Sequence, residues 1–152
     1  MIRVLVDSNV LVDFLARRGD FYGLARKLMV FAEMGDYELW MSSSQVTDVF
    51  YVLSNGGRPS CVSAARDALR ALRRFVRVCA PGEREVDRAL DSDWPDFEDA
   101  LVYQVATSID ASVIVTRNAR DFGRSAIPAR TPEEFFSWME QRNHLAYDEV
   151  AF

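Results

Sequence analysis

Asp7 follows the apolar run Val4-Leu5-Val6 directly and is itself followed by the polar pair Ser8-Asn9. An apolar run of that length reads as a buried strand, so the carboxylate stands at a strand's carboxyl end. A second run, Ser112 to Thr116, ends in the same way, in a polar loop that carries Asn118 and Asp121. Asp99 shares a helical stripe with Val102, Tyr103 and Ala106, where an ionised carboxylate is costly unless it is paired or binds a cation. Asp48 falls on a polar stripe with Ser44, Thr47 and Tyr51. Each group also has an ordinary structural use: Asp7 and Asp96 as helix caps, Asp48 as a solvated surface acid, Asn118 and Asp121 as turn formers. Gathered around one crevice, such acids repel one another and raise one another's pKa unless a hard divalent cation lies between them. All-oxygen ligands select Mg²⁺ or Mn²⁺, and such ions serve phosphoryl transfer.

Other chemistries lack their residues. Cys61 and Cys79 are far apart with no CxxC pairing, and His144 is the only histidine, so a Cys/His zinc site and a histidine-based nucleophilic triad are both short of groups. An aspartyl phospho-acceptor built on Asp7 is disfavoured, because Asn9 stands where a second Asp is wanted and no lysine follows the later strand. With 152 residues, 49% hydrophobic and 27% charged, the chain has the composition of one globular domain spanning 1–152, its tail from about 143 expected to be loosely held. No window is apolar enough for a membrane span, and the N-terminus lacks a secretory or transit pattern, so a cytoplasmic location is expected. The net charge of −5 argues against tight non-specific nucleic-acid binding but leaves room for a local basic stripe.

Those groups need elements to position them. The apolar pattern predicts strands at 2–6, 38–41, 76–79 and 112–116, with helices at 9–16, 21–34, 61–75, 83–90, 96–109 and 132–141 and one more between the serine cluster 42–44, which caps it, and Asn55-Gly56-Gly57, which end it. Thr131-Pro132-Glu133-Glu134 combines a capping Thr, a Pro at the first helical position and a Glu at the third. The two strongest strands lack in/out alternation, as expected for parallel strands covered on both faces. An α/β fold follows, a three-layer α/β/α sandwich with a mainly parallel central sheet. Ligands of such sheets bind outside the carboxyl ends of the strands, where Asp7 and the loop after Thr116 meet if their strands are neighbours.

The segments VLVDSNVLVDFL, SSSQVTDVFYVL, DFEDALVYQVA, SVIVTRNARDF and IPARTPEEFF occur in that order, and with them the chain resembles the PIN-domain family, which includes the VapC-type toxins. The resemblance implies a Rossmann-like sandwich whose acids bind Mg²⁺ or Mn²⁺ and hydrolyse RNA phosphodiesters. It places the first and third family acids on Asp7 and Asp99. The second, usually Glu, falls on Asp48, one methylene shorter. At the fourth position stands Asn118, with Asp121 close behind as the charged member. Asp96 is an outer acid, and Ser8 and Asn9 are candidates to position a phosphate or a water.

Arg66, Arg70, Arg73, Arg74 and Arg77 recur at helical spacing and form one basic stripe, a candidate RNA track or acidic-partner surface. The resemblance further implies a homodimer and an inhibitory antitoxin protein. A metal-dependent ribonuclease is therefore expected, against the alternative of a PIN-fold RNA- or protein-binding module whose altered acids no longer support turnover.

Overall fold

The computed structural model describes residues 1–144 and 146–147. Among them five strands form one all-parallel sheet: β1 (Arg3–Val6), β2 (Glu38–Ser42), β3 (Val76–Cys79), β4 (Val113–Val115) and β5 (Ala129–Arg130), in the spatial order β3-β2-β1-β4-β5. The helices between them are α1 (Ser8–Leu15), α2 (Tyr22–Glu33), α3 (Ser43–Leu53), α4 (Pro59–Leu72), α5 (Glu83–Leu90), α6 (Phe97–Ser108) and α7 (Pro132–Asn143). The three-layer sandwich expected from the pattern is what forms.

Burial follows the strand period of two. Val4 and Val6 of β1, with Val113 and Val115 of β4, pack against residues of α1, α2, α3 and α7 on one face. Leu5 and Ile114 point the other way, into a smaller core with Val102, Val105 and Ala106 of α6. Both faces of the central pair are thus covered, which is why its sequence is apolar without alternation. Phe135, Phe136 and Met139 of α7 are buried, so the apolar side of that helix is spent on the core.

Local chemistry sets the helix ends. Gly35, with φ of +92°, turns the chain after α2 at a backbone angle that favours glycine. Thr131 and Glu134 form the expected capping box of α7. Ser42 and Gln45 form a second box at α3. Predicted boundaries move by at most three residues, most for α4, which runs Pro59–Leu72 rather than 61–75. Strand β5 escapes the pattern because two residues carry no periodicity; it exists through ladder bonds from Ile114 N–H to Pro128 O and from Thr116 N–H to Arg130 O, each 2.9 Å. The tail expected to be loose falls partly on residues 145 and 148–152, which lie outside the described residues. Tyr147 is buried, its ring edge-on to Phe31 at 4.7 Å.

Gln45 joins two strand ends. Its Oε1 accepts from Ser42 N–H at 2.7 Å, and its Nε2 donates to Val6 O at 2.9 Å and to Ser8 Oγ at 3.2 Å, all within a fully buried side chain. Gln45→Ala strands a buried donor and a buried acceptor, at a cost of about 1–3 kcal/mol. Urea titration is expected to show a lower midpoint with an unchanged slope.

Candidate active site

The chain runs from β1 outward through β2 to β3 and then returns to the other side of β1 as β4. The crossover reverses between β1 and β4, which is the switch point where open parallel sheets bind ligands. Val6 pairs with Val115 in register, so Asp7 and Thr116 leave the sheet side by side. Asp7 N–H donates to Val115 O at 2.9 Å.

Thr116 is fully buried, and its hydroxyl has room for one donated and two accepted hydrogen bonds. All three are made. Oγ1 donates to Asp7 Oδ2 at 2.8 Å and accepts from Asn9 Nδ2 at 3.3 Å and Asn118 N–H at 3.1 Å. The other Asp7 oxygen accepts from Ser8 N–H at 2.8 Å, as a cap of α1. The capping use of Asp7 and its place in the crevice are therefore the same geometry. Burial pushes the Asp7 carboxyl above the usual range, the charge of Asp121 adds to this, and the two hydrogen bonds pull it back.

Asp96 caps α6, accepting from Asp99 N–H at 2.9 Å. Asp99 stands on the first turn, half-buried. Its carboxyl is pushed up to about 7, first by burial and then by the negative charges of Asp96, Asp7 and Asp121. Acids contributed by β1, α6 and the loop after β4 thus share one electrostatic environment. No ion pair among the described residues reaches Asp7, Asp96, Asp99 or Asp121. Nor do three His, Cys, Asp or Glu side chains among the described residues stand close enough to cage an ion by themselves.

Asp48 belongs to a neighbouring arrangement. It is exposed and hydrogen-bonded to Glu98, whose carboxyl rises to about 7 through burial and through the charges of Asp48, Asp96 and Asp99. Glu98 was absent from the acids singled out by pattern; only the packing of α3 near the start of α6 brings it to Asp48. Thr116 and Gln45 were missed for a similar reason, since a Thr ending a strand and a Gln after serines carry no chemical signal alone. Ser8 and Asn9 are engaged in the scaffold: Ser8 Oγ accepts from Gln45, and Asn9 Oδ1 accepts from Arg117 N–H at 3.3 Å. Asn118 and Asp121 lie exposed on a short 3₁₀ turn, Ala119–Phe122, and its approach.

The arginine stripe divides. Arg70 pairs with Asp67 at 2.7 Å, Arg74 with Glu33 at 3.1 Å and Arg77 with Glu38 at 3.2 Å, while Arg73 donates to Val76 O at 2.6 Å. Arg66, Arg70 and Arg73 border a groove floored by Met41, Val46 and Leu69. Arg74 and Arg77 pair with acids of other elements, so the single stripe expected from helical spacing is partly neutralised.

Asp99 binds its proton more tightly folded than at its ordinary value of 3.8, so its contribution to stability is fullest below that value and is lost as pH rises through about 7. Asp99→Asn removes the charge that burial and its neighbours oppose. Thermal scans in chelator are expected to show a raised Tm at pH 8 and little change at pH 4; an unchanged Tm at pH 8 would mean that the Asp99 charge is compensated after all.

The family model for the PIN domain matches residues 3–120, a span that holds Asp7, Asp48, Asp96, Glu98, Asp99, Thr116 and Asn118 and ends one residue before Asp121. The chain is 28% identical over 138 residues to Ribonuclease VapC1 of Aquifex aeolicus, covering 88% of this chain and 92% of that protein. The crystal structure of VapBC2 from Rickettsia felis bound to a DNA fragment from their promoter contains a chain with a TM-score of 0.64 at 12% identity, over 86% of this chain and 98% of the other. A toxin–antitoxin complex from Klebsiella pneumoniae gives 0.61 at 19% identity, over 85% and 97%. With a match across most of its length, and acids at the carboxyl ends of its central strands, the chain belongs to the PIN-domain family.

Proposed function

We propose that this protein is a metal-dependent endoribonuclease and the toxin of a toxin–antitoxin pair. One observation carries the reading: Asp99 is raised to about 7 by burial and then by the charges of Asp96, Asp7 and Asp121, and no ion pair among the described residues reaches any of these acids. A divalent cation relieves that repulsion, and the donors present are all hard oxygens. Asp7 and Asp99 would hold Mg²⁺ or Mn²⁺, with Asp121 and Asn118 completing the shell partly through water. Mg²⁺ commonly keeps several waters and takes only one or two carboxylates, which suits acids that form no closed cage. When bound, such an ion lowers the pKa of water and stabilises charge on a phosphodiester.

The chain's own groups have defined parts in that reading. Thr116 fixes the rotamer of Asp7, and Asp96 holds the first turn of α6, from which Asp99 projects. Glu98, raised to about 7 by burial, by Asp48 and by the charges of Asp96 and Asp99, adds a further carboxyl to the same acidic surroundings. The relative named Ribonuclease VapC1 and the structural likeness to a toxin–antitoxin complex support RNA as substrate and an antitoxin protein as partner. An antitoxin bearing a cationic side chain would neutralise the same acids. The reading also carries a homodimer and a cytoplasmic location; no helix among the described residues is long and apolar enough to cross a membrane.

A second reading is favoured by Asp48 being tied to Glu98 and by Asn118 being neutral: a PIN-fold module that binds RNA or protein without turnover. Incubation with a generic single-stranded RNA separates the two. The nuclease reading expects cleavage with Mn²⁺ or Mg²⁺, arrest by chelator, and a loss of ~100-fold or more in kcat/KM for Asp7→Asn and for Asp99→Asn, about 3 kcal/mol each. Cleavage that survives both substitutions marks a contaminant. No cleavage under any of these conditions favours the binding module.

A further inference from the structure

Beside the acidic crevice lies a cavity of about 390 Å³, bounded by Val10, Asp13, Phe21, Leu24, Arg117 and Asn118. It shares Arg117, Asn118 and Thr131 with a second hollow that reaches Arg120 and Asp121. The two are therefore adjacent, and together they run from a candidate metal ligand into a walled space between α1, the start of α2 and the loop after β4.

The deep wall is chemically unusual. Asp13 is 1% exposed, and its Oδ2 lies 2.7 Å from Arg117 Nε. Its Oδ1 is buried with no hydrogen-bond partner among the described residues. The Arg117 Nε–H, though close to Asp13, is not aligned to donate to it. A buried acceptor left unpaired costs about 1–3 kcal/mol; this one is closed to solvent as well, so Asp13 serves to hold Arg117 in place. Above it, the Arg117 guanidinium lies 4.2 Å from the ring centroid of Phe21, and that ring is 50% exposed. The cavity thus offers a flat aromatic and guanidinium surface with apolar sides from Val10 and Leu24.

We propose that this cavity is a nucleobase subsite: a base unstacked beside the scissile phosphate enters it and lies against Phe21 and Arg117, the latter held in place by Asp13. The subsite rests on the ribonuclease reading above. Recognition of single-stranded RNA depends on unstacked bases lying on aromatic rings or guanidinium planes and being read along their hydrogen-bonding edges. Arg117 and Arg120 at the junction of the two hollows attract phosphate and repel a lysine or arginine side chain, which favours a nucleotide over a basic protein segment.

The test replaces single nucleotides of a short cleavable RNA by abasic residues. Stacking on an aromatic side chain supplies about 1–3 kcal/mol, so removing the base at one position next to the cut is expected to lower kcat/KM about tenfold or more, with little effect elsewhere. Phe21→Ala, at a half-exposed site, should shrink that penalty several-fold. Anisotropy of the same labelled RNAs in chelator reads the penalty without turnover. Cleavage with no position-specific penalty overturns the subsite, leaves the nuclease reading standing and assigns the cavity to a side chain of a protein partner. Absence of cleavage with a Phe21-dependent penalty in binding overturns the nuclease reading and keeps the subsite. Neither cleavage nor penalty overturns both.

Discussion

The parallel pairing of β1 with β4 is the constraint on which the rest of this molecule depends. It sets Asp7 beside Thr116, and the single hydroxyl of Thr116, using its full capacity, ties the carboxylate of one strand end to the side-chain amide of Asn9 in α1 and to the backbone of the loop after β4. A hydroxyl saturated in a buried site cannot rotate without losing a bond, so Asp7 is held in one orientation. Gln45 does the corresponding work on the other side of β1, fastening the start of α3 to the end of the strand. The crevice is built on fully buried polar groups rather than on a mobile loop.

Against that rigid floor stand charges that the fold does not neutralise. Burial and mutual repulsion push Asp99 and Glu98 to about 7, both in the direction that opposes folding at neutral pH. The surrounding core supplies the stability that tolerates them: two apolar faces of a five-stranded sheet, each sealed by helices. Functional sites are where such uncompensated groups gather, because a ligand that completes the environment recovers what the fold gave up. Asp13, buried with an unpaired oxygen, instead serves to hold Arg117 in place.

Much of this was legible along the chain. The switch from apolar run to polar loop at Asp7 and again at Thr116, the capping box of Thr131 to Glu134, and the stripe that puts Asp99 on a sheet-facing helix all follow from local periodicity and side-chain chemistry. The likeness of β1 and β4 in composition was enough to suggest them as neighbours. The arginine stripe shows where such reading stops: Asp67, three residues before Arg70 on the same helix, is a local partner, but helical spacing carries no information about Glu33 and Glu38, which take up Arg74 and Arg77.

By itself the sequence determined the fold class, the positions of most elements and the two strand ends where acids had to meet, because periodicity, caps and apolar runs are properties of neighbouring residues. Tertiary structure alone decided that Glu98 faces Asp48, that Thr116 saturates around Asp7, that a two-residue β5 exists, and that Asp13 lies buried against Arg117 with an oxygen to spare. Contacts between groups dozens of residues apart depend on how helices settle on the sheet, and no local pattern encodes that distance.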